Sequence, residues 1–156
     1  WRAMQTAAPA GAVIWVLANI PFGDTNLARA TADWLNPFGL LLGLDGVIIL
    51  AYIIAIPANE IVVPTMMMVY MGAGMMIDPG PDKYLAVFSG NGWTMLTAVN
   101  LMLFALLHNP CATTIMTIYK ETKSLKWATV SVVITLGTAI LVTFLTASIA
   151  RIFGWA

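Results

Sequence analysis

Charge is scarce in this sequence. Seven basic and seven acidic residues make up 9% of the 156 residues and cancel to a formal net charge of zero. A soluble domain carries about a quarter charged residues, so a water-covered globule is excluded. With no excess of positive charge there is no footing for nucleic acid. Cysteine occurs once, at Cys111, which excludes an internal disulfide framework and leaves a free thiol. Histidine also occurs once, at His108. No GxxxxGK(S/T) stretch is present, so the chain has no phosphate-binding loop of its own. It opens on Trp1-Arg2 rather than on a basic region followed by an apolar run, so no signal peptide is read. A start without Met is expected of a fragment of a longer protein.

Apolar residues fill the space that charge leaves. They make up 60% of the chain, and the mean hydropathy is +0.88. The apolar runs are continuous and do not alternate, which indicates membrane helices rather than barrel strands. The first run, Arg2–Asn19, has marginal length against the roughly 17–25 residues of a membrane span. Asn26–Asn36 has mixed character, with Leu27, Ala30 and Trp34 on one face and Arg29 and Asp33 at pairing distance. It predicts a short amphipathic helix in the interface, ended by Pro37, Gly39 and Gly43.

Two proline-interrupted apolar segments follow. In the first, Gly46–Ile56 and Ile61–Ile77 flank Pro57-Ala58-Asn59-Glu60. Together they reach roughly 45 Å at about 1.5 Å per residue, which makes one crossing with a break, or the two arms of a re-entrant hairpin. Asp78–Asp82 and Ser89–Gly92 bracket a loop. In the second, Trp93–Leu107 and Ala112–Thr122 flank His108-Asn109-Pro110-Cys111. A long helix closes the chain over Trp127–Trp155. Paired interrupted segments of this kind point to a transporter binding site. Lys120, Lys123 and Lys126 set the last turn on the cytoplasmic side, and Trp34, Trp93, Trp127 and Trp155 stand where interface anchors belong. With the acidic loop on the other side, the two interrupted segments read as antiparallel crossings broken near mid-membrane.

The breaks carry the chemistry. A carboxylate such as Glu60 within apolar sequence costs at least roughly 2.5–3.5 kcal/mol at the bilayer centre, so it is expected to pair, protonate or hold a cation. Asn59 beside it offers a carbonyl ligand or a helix cap. Cys111 opens a half-helix, where a helix N-terminus favours the thiolate, and His108 lies three residues before it. Imidazole, thiolate and carboxylate together suit iron, zinc or copper better than sodium or magnesium. Thr113, Thr117 and Glu121, with Thr114 beside them, form a polar stripe that lines a water path or simply bonds back to its own helix. Met67, Met71 and Met75 make a thioether stripe, which is copper(I) chemistry or ordinary packing.

Several stretches together resemble one family. They are Arg2-Ala3, Ala7-Ala8-Pro9-Ala10-Gly11, Ile14-Trp15, Leu42-Gly43-Leu44-Asp45-Gly46, Pro57-Ala58-Asn59-Glu60-Ile61-Val62, His108-x-Pro110-Cys111-Ala112-Thr113-Thr114 and Lys120-Glu121-Thr122-x-Ser124-x-Lys126-Trp127. In this order they resemble the C-terminal membrane region of bacterial ferrous iron transporters of the FeoB type. The resemblance implies passage of Fe²⁺ across a bacterial inner membrane by a multi-pass protein. It also implies that an N-terminal GTP-binding domain and a preceding membrane segment belong to the longer parent. By position, Cys111 matches the membrane cysteine proposed to contact iron, and Glu60 matches the acid of the Pro-Ala-Asn-Glu motif. His108 and Asn59 match neighbouring motif positions.

The expectation is an all-α integral membrane protein: a polytopic helical bundle with two proline-broken or re-entrant helices and an interfacial amphipathic helix. Residues 1–156 form a single transmembrane domain with four main apolar helices. The expected function is Fe²⁺ permeation at the breaks, with Cys111, Glu60, His108 and Asn59 as metal ligands and Thr113, Thr114, Thr117 and Glu121 lining the path. Fe²⁺ is the transported ion and no cofactor is permanently bound. The expected partners are the lipid bilayer, the parent's other parts and, compatibly, further copies of the chain. No covalent chemistry is implied for this chain, so it is not read as an enzyme. The alternatives are a proton-coupled carrier of a small organic solute and copper(I) transport along the methionine stripe.

Overall fold

A computed structural model describes residues 2–22, 25–57, 59–73, 80–108 and 111–154. It is helical nearly throughout: α1 (Arg2–Asn19), α2 (Leu27–Leu41), α3 (Gly46–Ile54), α4 (Val62–Met71), α5 (Pro81–Gly90), α6 (Met95–Leu107), α7 (Ala112–Thr122) and α8 (Leu125–Ile152). A two-residue antiparallel pairing, Pro21–Phe22 with Thr25–Asn26, closes the α1–α2 connection.

α2 differs from its expected form. It runs through Pro37 to Leu41, because the bond that proline cannot make falls on the exposed Asp33–Pro37 side. The expected ion pair is present, with Arg29 Nε 3.8 Å from Asp33 Oδ1. The buried face is not the Leu27–Ala30–Trp34 face. Ala28, Ala32 and Gly39 are buried, and Trp34 is 72% exposed. Small residues win this face because α3 crosses α2 at 107° in close contact. A Cβ on Gly46 would stand 1.9 Å from the Ala32 carbonyl oxygen, and one on Gly39 would stand 2.5 Å from the Asp45 backbone. Gly43, at φ +67°, makes the turn between the two helices.

The first interrupted segment is a hairpin and not a crossing. Asp45 caps α3 by accepting the Ile48 N–H at 2.8 Å. Its other oxygen accepts the hydroxyl of Tyr70, one residue before the end of α4. The start of α3 and the end of α4 therefore lie together, and the run doubles back at Ala55–Ile61. Nine and ten residues give arms of about 14–15 Å, half of a hydrocarbon core about 30 Å thick. The expected loop between Asp78 and Gly92 also holds a helix, α5, which starts on Pro81. Proline is well suited to a first helical turn. Phe88 of α5 stacks on Trp93 at 4.1 Å and meets Tyr70 edge-on.

The second interrupted segment does not double back and is a candidate span. Asn100 of α6 is fully buried. Its amide donates to the Leu42 carbonyl at 2.8 Å, and its oxygen accepts the Thr146 hydroxyl at 2.6 Å. α6 thus lies against the late part of α8, while α7 packs on the early part across a two-residue turn. α6, the break and α7 together run antiparallel to α8. Met95–Thr122 and Leu125–Ile152, each 28 residues with mean hydropathy 1.5 and 2.2, are long and apolar enough to cross a membrane. The bent α2–α3 pair adds a third candidate. α1 forms as expected but falls short of that standard, so the four expected apolar spans reduce to two or three.

The core centres on α3 and α4, with Ile48, Ala51, Met66 and Met68 almost fully buried. Gly46→Ala should lower stability by about 1–3 kcal/mol, because the added methyl meets backbone that cannot yield. Gly137→Ala, where a Cβ meets nothing within 4 Å, should be neutral or slightly stabilising. Unfolding midpoints of the two variants in one detergent decide this.

Candidate functional site at the two breaks

Each break is built by the helices that stop at it. α3 ends on Ala55, and a single 3₁₀ turn, Asn59–Ile61, leads into α4. Asn59 and Glu60 stand exposed on that turn. Asn59 does not cap α4, whose N-cap is Ile61 without a side-chain bond. Glu60 was expected in apolar surroundings, but this chain leaves its side of the hairpin tip uncovered.

In the second break, His108 ends α6 in an extended conformation, with its N–H on the Phe104 carbonyl at 2.7 Å. Its ring stacks on Phe104 at 4.9 Å and meets Tyr52 edge-on at 5.1 Å. His108 is 9% exposed, and its Nδ1 is buried without a hydrogen-bond partner. Such an atom is rare in a folded chain. Cys111 is the N-cap of α7, half-buried, with its sulfur 3.2 Å from the Thr114 hydroxyl. Asn109, Pro110 and Ala58 lie outside the described residues.

One bond joins the two breaks. The Ala112 N–H donates to the Ile56 carbonyl at 3.0 Å. The first free donor of α7 is thereby satisfied by the residue that leads into the first break. In lipid, backbone groups released by interrupted helices need a protein or water partner, and here each break supplies one to the other.

The side chains are less gathered than the backbone. Among the described residues no three of His, Cys, Asp and Glu come together as a metal group. Thr113, Thr117 and Glu121 are exposed and Thr114 is half-buried. The Thr117 hydroxyl bonds back to the Thr113 carbonyl at 2.9 Å. In the methionine stripe, Met67 is fully buried and Met71 is exposed, while Met75 lies outside the described residues. Packing accounts for Met67.

Cavities lie beside these elements. One of about 510 Å³ is apolar and reaches Tyr52, Ile56, Phe104 and His108. One of about 440 Å³ lies between α6 and α8. One of about 220 Å³ at the base of the hairpin is polar. Cys111 and Glu60 line none of them.

Sequence reasoning missed the chain from Asp45 to Tyr70 to Trp93, in which the Trp93 indole donates to the Tyr70 oxygen at 2.8 Å. Trp93 was expected as an interface anchor and is instead half-buried. It missed Asn100 as well. A lone Asn inside the apolar run Met95–Leu107 was the available signal, since such residues join helices in membranes.

These features define a helical membrane protein in which a helical hairpin, α3–α4, meets the break between α6 and α7. A family model described as Gate, nucleoside recognition, matches residues 1–125, and the chain belongs to that family. It is also similar to the Fe(2+) transporter FeoB of Staphylococcus aureus. The similarity is 35% identity over 96 residues with the protein of strain MSSA476 and 33% with that of strain COL. The match covers 62% of this chain and 13% of each relative. The motif resemblance to the FeoB type is thus matched by similarity over those 96 residues. No solved structure matches the chain.

Ala112→Pro tests the link between the breaks. The residue is the first of α7, where proline is tolerated, and Cys111 before it is already extended at φ −64°, ψ 152°, as a pre-proline residue must be. The substitution deletes the donor and little else. It should cost about 0.5–1.5 kcal/mol and speed amide exchange at residues 55–61 while α7 stays protected. Unchanged exchange at the tip would show that the bond does not hold it.

Proposed function

We propose that this chain forms part of the membrane permease of a ferrous iron transporter, and that Fe²⁺ passes where the hairpin tip meets the broken helix. The single observation that carries the site is the Ala112–Ile56 bond, which brings the Pro-Ala-Asn-Glu break and the His-x-Pro-Cys break together. The similarity to Fe(2+) transporter FeoB supports the ion. In the longer parent, a GTP-binding domain and a preceding membrane segment are the expected partners, in a bacterial inner membrane crossed several times.

Fe²⁺ reaches the tip partly dehydrated. The Cys111 thiolate and the Glu60 carboxylate supply the charge that replaces lost water, with His108 or Asn59 as the neutral ligand. Metal binding releases the thiol proton. Among the described residues no three of His, Cys, Asp and Glu gather, and in this reading the rest of the parent supplies further ligands. The preceding membrane segment would meet the exposed Asn59–Glu60 tip and the exposed Thr113–Thr117–Glu121 stripe. GTP binding elsewhere in the parent would open or close the route at the lysine-rich turn.

Anaerobic Fe²⁺ uptake into proteoliposomes by the full-length parent tests this. Cys111→Ser and Glu60→Gln, each shown to fold, should each lose at least tenfold in uptake. Normal transport by both would remove the breaks from the ion path.

A further inference from the structure

The cavity of about 510 Å³ lies between α2, α3, α6 and α8. Its size falls in the roughly 300–1,000 Å³ range of small-molecule sites, which are mostly apolar with a few placed polar groups. Among the described lining residues, the only polar side chains are those of Tyr52 and His108, and none is charged. His108 is 9% exposed, and its Nδ1 is buried without a hydrogen-bond partner. Phe104 stacks on the imidazole and Tyr52 meets it edge-on. Those contacts hold the ring in place but give Nδ1 no hydrogen bond. A neutral imidazole carries one donor and one acceptor nitrogen, so the ring that lines this cavity still has polar capacity to offer.

The walls discriminate between occupants. A charged ligand finds no opposite charge on these side chains. An acyl chain has nothing to give the imidazole. A single water needs two to four polar partners and would leave most of the volume unfilled. What fits is a neutral molecule with a flat apolar body and one hydroxyl. A cavity of about 150 Å³ already takes benzene, so a substituted ring has room here. Phe38, Ile53 and Phe144 line the cavity and are exposed on the apolar outside of the bundle, which opens it to a ligand dissolved in lipid.

We infer that this cavity binds a neutral, lipid-soluble phenol, with its ring among the aromatic side chains and its hydroxyl on the His108 imidazole. The site goes beyond the reading of the breaks and does not depend on it. It does stand next to them. Ile56 lines the same cavity, and its carbonyl holds the Ala112 N–H. An occupied cavity therefore braces the bond that joins the two breaks. A bound phenol also engages His108, and the neutral ligand for an ion at the tip is then Asn59.

His108 is the only histidine in the chain, so ¹⁵N-histidine labelling gives one imidazole to observe in the full chain in detergent. The probe is para-fluorophenol, and fluorobenzene, which lacks the hydroxyl, is the comparison. At equal concentration in the micelle, the phenol should shift the imidazole nitrogen resonances to a plateau. Fluorobenzene, followed by its ¹⁹F line, should bind at least fivefold more weakly. His108→Phe keeps a ring to stack on Phe104 but removes both nitrogens, and it should bring the phenol's affinity level with that of fluorobenzene. Ile140→Trp fills the cavity from α8 and should abolish saturable binding of both. If neither variant folds, the contrast between the two probes on the unsubstituted chain decides. A shift that rises without a plateau, as partition into detergent alone gives, overturns the inference. So does equal binding of the two probes, as an apolar groove for lipid tails gives. Normal phenol binding by His108→Phe or by Ile140→Trp overturns it as well.

Discussion

The Asp45 carboxylate decides the shape of this protein. One oxygen holds the first turn of α3, and the other holds the hydroxyl at the end of α4. Those two bonds return the first interrupted segment to the level where it began. Through Tyr70 the same carboxylate reaches Trp93, and so the entry to α6. The neighbouring turn lies against Asn100, which binds the Leu42 carbonyl and α8. A small polar set at one end of an apolar bundle thus fixes how four helices stand. Such groups can do this because apolar side chains give little preference for one helix partner over another in lipid, whereas an unsatisfied polar group has few alternatives.

From that base the hairpin projects to a tip that ends on exposed Asn59 and Glu60. Its tip is tied to the second break by one backbone bond, Ala112 to Ile56. The two irregular stretches of backbone therefore satisfy each other, which is what permits them among apolar helices. The joined breaks bring polar backbone and a half-buried thiol to one place in an otherwise apolar bundle, with an exposed carboxylate at its edge. His108 belongs to this place but faces inward, between Phe104 and Tyr52. Glu60 faces outward. The chain's match spans 13% of its longer relatives.

The sequence by itself determined the class, the helices and the positions of both breaks. Scarcity of charge and continuous apolar runs require a membrane helical protein, and Pro57 and Pro110 fall within polar stretches that part the apolar runs. The motifs also carried the family. The sequence did not determine which interrupted segment crosses and which turns back. Both have the same local pattern, and the difference lies in a bond between residues 45 and 70 that no periodicity reveals. It did not reveal the packed face of α2 either. Leu27 and Trp34 are the larger hydrophobes, yet Ala28, Ala32 and Gly39 are buried, because close approach of α3 rewards small residues over large ones. Asn100 and Trp93 showed only their type, and their partners lie up to 58 residues away. Local chemistry was legible because it depends on neighbours in the chain. The hairpin, the joined breaks and the polar cavity were decided by tertiary structure alone, because each depends on residues that only folding brings together.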